Sequence, residues 1–281
     1  MLPAISACDS STPSTQPSSG SAGPITVEVN QSRDQYGKQA IQLQFTNTTN
    51  NPLTVTAARL HSSLFDGDIL WQRPGDGLDL PPGQPKSVPA PLPAAACGAS
   101  QSTSTEAAGA GATVEYTAPG KEATEETTDA ADPFGVLSRN AAELCIATEA
   151  AAVATMALDP GLEVAPDGQT AVVHLVITPA PPGGAAQSLT IDSIDETTLL
   201  AQSPSAPWPR NVNVGTEKQD LPLTIRPARC DPHAVAEDKV GTLLPLRIKL
   251  GERPGLIKVP ASTDLRGRIY DFVTAACAHA G

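Results

Sequence analysis

Five cysteines constrain this 281-residue chain more than any other feature of its sequence. Cys97 and Cys145 lie 48 positions apart, and Cys230 and Cys277 lie 47 positions apart. A matched spacing that recurs once indicates a duplicated domain, with each copy closed by its own disulfide. Because disulfides persist outside the cytoplasm and are rare inside it, this pairing predicts an extracytoplasmic protein. The alternative is a set of reduced thiols buried in the core.

The composition excludes several classes of protein. The length suffices for two domains of roughly 100 to 150 residues each. Aromatic residues make up 3% and charged residues 17%, with 28 Pro and 22 Gly, which argues against coiled coils and helix bundles and favours short strands. A net charge of −12 opposes binding to nucleic-acid phosphates, so we expect no nucleic-acid partner. No run of 18 apolar residues is present, and no membrane-spanning helix is predicted.

Short segments of alternating apolar and polar residues predict β-strands in both halves of the chain. In the first half they cover residues 25–29, 40–46, 53–57, 64–71, 87–91 and 112–117, and in the second half residues 153–158, 171–177, 188–194 and 242–250. Each half therefore combines several short strands with one cysteine pair and one tryptophan. The sequence predicts an all-β fold of two tandem antiparallel β-sandwiches.

Four segments interrupt the strand pattern. Asp231 and Pro232 favour the start of a helix of one or two turns. The segments that lead to Cys145 and Cys277 fit either a short helix or a last strand, and we predict a short helix in both. Residues 121–132 are acidic and predict a mobile loop.

The architecture resembles that of immunoglobulin-like domains, in the form found in extracytoplasmic lipoproteins of high-G+C Gram-positive bacteria. The resemblance covers nearly the whole chain. In both halves the tryptophan precedes the first cysteine of the pair, and Glu143 and Ala275 stand where an antibody domain has a tyrosine. We therefore do not expect the antibody-type bridge between sheets. A bridge from a loop to the last strand is expected instead.

The N-terminal residues resemble the end of a bacterial lipoprotein signal. Ile5-Ser6-Ala7-Cys8 matches the lipobox, in which the cysteine thiol becomes diacylated, and the basic and apolar parts of such a signal are expected to precede Met1. The resemblance implies a protein on the outer face of the cell membrane that contacts the membrane only through an anchor at Cys8. The alternative is a disordered tail with a spare thiol.

The expected domains follow from these segments. Residues 1–8 end the signal, and residues 9–23, rich in Ser, Thr, Pro and Gly, form a flexible tether. Immunoglobulin-like domains occupy residues 24–148 and 149–281. A short alanine-rich joint at 148–152 should allow the two domains little relative motion.

Few side chains suggest a functional site. Common signatures of catalytic and metal sites are absent from the sequence, and we expect no cofactor and no bound metal. Asp231, His233 and Glu237 lie close together after Cys230, where they either cap a helix or line a site. Trp208, flanked by prolines, either packs in the core or offers its indole for stacking. These four residues, Trp208, Asp231, His233 and Glu237, form the candidate binding surface.

The expected function is non-catalytic. We expect a surface lipoprotein that acts as a binding or scaffolding module and contacts an envelope protein or a cell-wall polymer. The alternatives are a solute-binding or catalytic lipoprotein, with its site at the domain junction or near His233, and a structural spacer. Because the repeated features are scaffold, any activity should lie where the halves differ: residues 121–132, residues 230–239 and the segment around Trp208.

Overall fold

The computed structural model describes residues 23–72, 75–98, 109–181 and 188–278. These residues form two β-sandwiches, one after the other along the chain, and a long helix follows the last strand of each. The prediction of a fold dominated by β-sandwiches, one in each half of the chain, is confirmed. Cys8 and residues 9–22 of the predicted tether lie outside the described residues.

The first sandwich is built from one sheet that folds over its own core. Its elements are β1 (Ile25–Asn30), β2 (Ala40–Asn47), β3 (Leu53–His61), β4 (Ile69–Gln72), β5 (Leu78–Leu80), β6 (Lys86–Pro91), β7 (Ala110–Thr117), β8 (Thr124–Ala131) and α1 (Val136–Ala151). The strand order is β4-β3-β7-β8-β1-β2-β6, and β5 pairs with β3. A parallel pairing between β1 and β8 joins the two halves of the sheet, whereas the other pairings are antiparallel.

The second sandwich consists of two separate sheets. Its elements are β9 (Ala154–Leu158), β10 (Glu163–Val164), β11 (Ala171–Pro179), β12 (Leu189–Ile194), β13 (Leu200–Gln202), β14 (Val212–Asn213), β15 (Gln219–Pro227), α2 (Pro232–Ala236), β16 (Leu243–Leu250), β17 (Arg253–Pro260) and α3 (Thr263–Ala278). One sheet has the order β10-β11-β15-β13 with β9 on β11, and the other has the order β14-β12-β16-β17. The triplets β9-β11-β15 and β12-β16-β17 repeat the arrangement of β1-β2-β6 and β3-β7-β8.

Alternation of side chains places the core where the sequence predicted it. Along β2 the residues Leu43 and Phe45 are 1% and 0% exposed, and in β11 Leu175 and Ile177 are both 0% exposed. Successive strand residues point to opposite faces of a sheet, so each strand turns every second side chain inward. The result is one apolar core in each sandwich.

Two local predictions are wrong. Residues 121–132 are not a mobile loop, since β8 pairs with β7 and β1. Backbone bonds to two neighbours hold this strand, while its acidic side chains stay outside and contact neighbours such as Arg59 and Tyr116. Residues 64–71 form a strand only from Ile69, because Phe65 makes an isolated bridge to Ala95 and the chain turns there.

Both predicted disulfides are present. The Cα atoms are 5.4 Å apart in Cys97–Cys145 and 5.2 Å apart in Cys230–Cys277. Each bridge joins the loop after β6 or β15 to the helix that follows the last strand of its sandwich. The predicted loop and the helices predicted at Cys145 and Cys277 are confirmed, whereas the expected bridge to a last strand is wrong. These helices, α1 and α3, are each 16 residues long. Two such bridges are typical of proteins that fold outside the cytoplasm.

The helix α1 belongs to both sandwiches. Leu137 and Ala141 pack in the first core, whereas Ile146 and Ala150 pack in the second. The helix continues to Ala151 and so passes through the predicted boundary at 148/149. Because one rigid element contributes to two cores, the sandwiches are mechanically coupled. Among the described helices, none has the length and apolar character needed to cross a membrane.

Strand β17 packs closely against α1. Lys258 Nζ lies 2.6 Å from Glu143 Oε2, and Arg253 pairs with Glu149. Between these ion pairs, Gly255 faces Ile146. A Cβ atom at position 255 would lie 2.5 Å from Ile146 Cγ1, closer than real Cβ contacts.

Replacing Gly255 with valine should therefore lower the free energy of unfolding by about 1 to 3 kcal/mol, the usual cost of overpacking. Urea denaturation measures this loss. The matched control is Gly111→Val in β7, where a Cβ atom meets nothing within 4 Å. Valine favours strands, so the control should be neutral or slightly stabilising. Equal losses in the two variants would contradict the close packing of β17 on α1.

Candidate functional site

The segment after Cys230 folds as predicted into a short capped helix. Asp231 Oδ1 accepts a hydrogen bond from the backbone N–H of His233 at 2.9 Å, and the N–H of Glu237 donates to the carbonyl of His233 at 2.9 Å. All three side chains are exposed. Helix geometry thus explains their proximity. Within the described residues, no group of three His, Cys, Asp or Glu side chains is placed to hold a metal ion.

Trp208 does not lie on a binding surface, and this part of the predicted surface is wrong. The residue is 4% exposed, and its Nε1–H donates to the carbonyl of Thr224 at 2.9 Å. Its backbone N–H donates to Gln202 Oε1 at 3.0 Å. Bonds to β13 and β15 fold the proline-flanked segment back onto the second core. The flanking prolines restricted the backbone but did not determine on which side the indole lies.

A groove lies between α2 and α3. Its volume is about 530 Å³, within the range of ligand pockets. Most of the surface is apolar, and we call it the α2–α3 groove. It is lined by Cys230, Pro232, Val235, Ala236, Tyr270, Val273, Thr274, Cys277 and Ala278.

The disulfide Cys230–Cys277 holds the walls of this groove. Cys230 comes just before α2, and Cys277 lies in the last turn of α3. The covalent bond therefore fixes the distance between the two helices. The α2 side of the groove falls within the segment that the sequence indicated. The α3 side was missed, although Tyr270, Val273 and Cys277 share one helical face by their spacing.

Tyr270 lines the groove and is fixed by a hydrogen bond. Its hydroxyl donates to Asp238 Oδ2 at 2.9 Å. Burial, with a smaller contribution from the hydrogen bond and the charge of Asp238, raises the pKa of Tyr270 to about 12. Asp238 is itself anchored, because Thr198 Oγ1 and the N–H of Gly241 donate to its carboxylate at 2.6 and 2.7 Å. Tyr270 is thus held as a neutral phenol.

Replacing Tyr270 with phenylalanine should cost about 1.5 to 3 kcal/mol of folding free energy at pH 8, because one hydrogen bond to a charged carboxylate is lost. The folded-state pKa of about 12 lies above the unfolded value of 10.0, so this stabilisation is complete below pH 10 and disappears as the pH rises through 12. The difference in unfolding free energy between wild type and variant should therefore narrow over that range. Urea titrations at several pH values measure it.

The control for this measurement is Tyr36→Phe, at a tyrosine that is 39% exposed. That variant should cost less folding free energy at pH 8 than Tyr270→Phe does, because it removes a hydroxyl from an exposed side chain. A Tyr270→Phe difference that does not change between pH 8 and pH 12 would contradict the raised pKa of the Tyr270 hydroxyl.

A second cavity, which also has Tyr270 in its lining, lies at the junction of the two sandwiches. Its volume is about 390 Å³. One wall is the turn that contains Lys38 of the first sandwich, and the other is formed by residues around α2, β16 and the start of α3. We call it the basic cleft for its three cationic side chains. These cations and their polar neighbours in the lining are Lys38, Lys239, Arg266, Asp34, Asp238, Thr242 and Tyr270.

Both carboxylates of the basic cleft already have partners. Asp34 accepts a hydrogen bond from the Ser32 hydroxyl and pairs with Lys38 at 3.4 Å, and these contacts lower its pKa, the Ser32 bond most strongly. Asp238 is saturated by the contacts described above. Across the described part of the chain, neither Lys239 nor Arg266 forms an ion pair within 4.0 Å. The cleft therefore offers an incoming anion these two cations, against the single charge of Asp238, whose hydrogen-bond donors among the described residues are all neutral.

Comparison with known proteins leaves the family open. No family model matches the chain, and no curated protein sequence matches it significantly. Three solved structures show the range of the structural similarities. The YadV chaperone is 14% identical, with 84% of this chain and 100% of that chain covered and a TM-score of 0.22. The red sea bream transglutaminase is 11% identical over 86% of this chain and 32% of the other, at a TM-score of 0.23.

The third structure is the CsuC–CsuE chaperone–tip adhesion subunit pre-assembly complex of Acinetobacter baumannii. It is 11% identical over 84% of this chain and 95% of the other, at a TM-score of 0.20. Scores this low carry no argument about what this chain does. The candidate site is therefore identified from its geometry alone, as an apolar groove and a basic cleft that both have Tyr270 in their lining.

Proposed function

We propose that this protein is a non-catalytic binding module of the bacterial cell envelope, anchored to the outer face of the membrane through lipidated Cys8. Two disulfides and two coupled sandwiches support a rigid extracytoplasmic scaffold. The lipobox-like Ile5-Ser6-Ala7-Cys8 supports the anchor. Its ligand is a component of the envelope.

The observation that carries this proposal is the α2–α3 groove. It is concave, largely apolar and held open by a disulfide, which are properties of a preformed binding site. It also lies where the halves differ, since Cys97 is followed by Gly98 and Ala99 whereas Cys230 is followed by Asp231 and Pro232.

The lining of the groove favours an apolar partner over a wall polymer. Recognition of a sugar chain needs several hydrogen-bonding groups or exposed aromatic faces. In the groove, Tyr270 and Thr274 supply the side-chain hydroxyls, and the Tyr270 hydroxyl is already bonded to Asp238. An envelope component with an apolar part therefore fits the groove better.

Site-specific photocrosslinking in the native organism tests the groove. A photoreactive amino acid at exposed Thr274 should give a crosslinked adduct in the envelope, and the same residue at exposed Glu115 in β7 should not. Introducing Val235→Asp should abolish the Thr274 adduct, whereas Val164→Asp, at a valine that is 51% exposed outside the groove, should leave it intact. Absence of a Thr274 adduct, or equal adducts at both positions, would overturn the proposal.

The anchor is tested separately. Expressed from its own gene with its native start, the protein should fractionate with the membrane and carry a diacylated Cys8 in its mass spectrum. The variant Cys8→Ala should lose the lipid and the membrane association. Unchanged fractionation of that variant would contradict the anchor and leave the groove proposal standing.

A further inference from the structure

We propose that the ligand is a single-chain amphiphile with an anionic head group, such as a long-chain fatty acid. The inference rests on the proposed binding function of the α2–α3 groove and adds the chemical class of the ligand. Its basis is the position of the basic cleft directly beside the groove.

The two cavities share part of their lining. Ala236 and Tyr270 contribute to both the α2–α3 groove and the basic cleft. A hydrocarbon chain that lies in the groove with one end at Ala236 and Tyr270 would bring its head group to the cleft. This arrangement of one apolar and one charged compartment matches a molecule with one apolar and one charged end.

The groove accommodates the chain of such a molecule. Its volume of about 530 Å³ and its walls of Val235, Val273 and the Cys230–Cys277 disulfide suit a flexible hydrocarbon. Burial of each methylene contributes roughly 0.8 kcal/mol. By that constant, each additional methylene within the groove should tighten binding about threefold to fourfold.

The cleft selects the sign of the head group. Lys38, Lys239 and Arg266 line it together with two carboxylates, Asp34 and Asp238, and both carboxylates are occupied by other contacts. Three cations against two carboxylates leave a local excess of positive charge in a chain whose net charge is −12. A carboxylate head group next to Lys239 and Arg266 completes pairs that these side chains otherwise lack.

Titration calorimetry with fatty acids of increasing length, below their micelle concentrations, tests the inference. Affinity should rise from octanoate to decanoate to dodecanoate, and dodecyl maltoside, with the same chain and a neutral head, should bind at least tenfold more weakly than dodecanoate. Acetate, which is the head group alone, should not bind measurably. Equal affinities along the series, or tighter binding of the maltoside, would overturn the inference.

Two matched pairs of variants assign the binding to these residues. Arg266→Gln should weaken dodecanoate binding about tenfold, while Arg268→Gln, two residues along α3 and outside the cleft, should not change it. Val235→Asp should abolish binding, and Val164→Asp should leave it intact. The positions are exposed or half-buried, and thermal unfolding verifies that each variant is folded. An Arg266→Gln protein that binds dodecanoate like wild type would overturn the role of the cleft.

The experiments separate this inference from the function on which it rests. Crosslinking at Thr274 without dodecanoate binding would refute the ligand class and preserve the binding function. Dodecanoate binding without any envelope adduct would refute the proposed function in the cell and preserve the ligand class.

Discussion

Replacing Cys230 and Cys277 with alanine should lower the free energy of unfolding by about 4 kcal/mol. The bridge closes a loop of 47 residues, and a crosslink of this span removes that much conformational entropy from the unfolded chain in the chain-entropy model. The Cys97–Cys145 bridge closes a loop of 48 residues and should contribute a similar entropic term. In that pair Cys145 is 7% exposed, so the alanine variant also loses packing in the first core.

Urea denaturation of the two double variants measures these losses, with Cys8→Ala present throughout so that no free thiol exchanges with the bridges. A reducing agent should destabilise the parent protein by the combined amount and leave a variant without either bridge unchanged. The Cys230/Cys277 variant should additionally lose dodecanoate binding, since the groove walls are no longer tied. A stability change below about 1 kcal/mol in either double variant would contradict the role of the disulfides in closing the sandwiches.

Replacing Trp208 with alanine should cost about 3 to 5 kcal/mol, the range for removing a buried large side chain. The indole is 4% exposed, and its removal leaves a cavity in the second core and an unpaired carbonyl at Thr224. Trp208→Phe keeps most of the volume and loses the hydrogen bond, so its cost should be intermediate.

The control for Trp208 is the tryptophan of the other sandwich. Trp71 is half-buried and contacts Phe45 with ring centroids 5.9 Å apart, so Trp71→Ala should cost clearly less than Trp208→Ala. Urea titration followed by far-ultraviolet circular dichroism compares the variants without relying on tryptophan fluorescence. A Trp208→Ala protein that is as stable as wild type would contradict the burial of the indole and would support the alternative that Trp208 is a surface binding residue.

The predictable part of the fold is the part that local sequence specifies. Alternation in β2 and β11 placed Phe45 and Leu175 inward, because the period of a strand is a property of the backbone. The cysteine spacing identified both bridges. Strand β8 was missed because its acidic residues resemble a loop, and what makes it a strand is backbone pairing with β7 and β1, which no local pattern encodes.

Only the α2 side of the candidate site could be predicted from the sequence, because only that side is specified by local residues. Asp231 and Pro232 predicted the start of α2, because helix capping depends on residues next to each other in the sequence. The partner wall on α3 depends on tertiary packing within the second sandwich. The presence of Lys38 and Arg266 in one cleft depends on how the two sandwiches pack against each other, and no local sequence pattern specifies either arrangement. Trp208 shows the opposite failure, where a local pattern suggested exposure and tertiary hydrogen bonds buried the side chain.

The most direct test of the binding function is hydrogen–deuterium exchange of the purified protein with and without the solubilised native envelope fraction. We expect slower exchange in α2 and in the last turns of α3, where the α2–α3 groove lies, and unchanged exchange in β3 and β7 of the first sandwich. Protection confined to β3 and β7, or no protection at all, would contradict the central claim that the α2–α3 groove is where this protein binds its ligand.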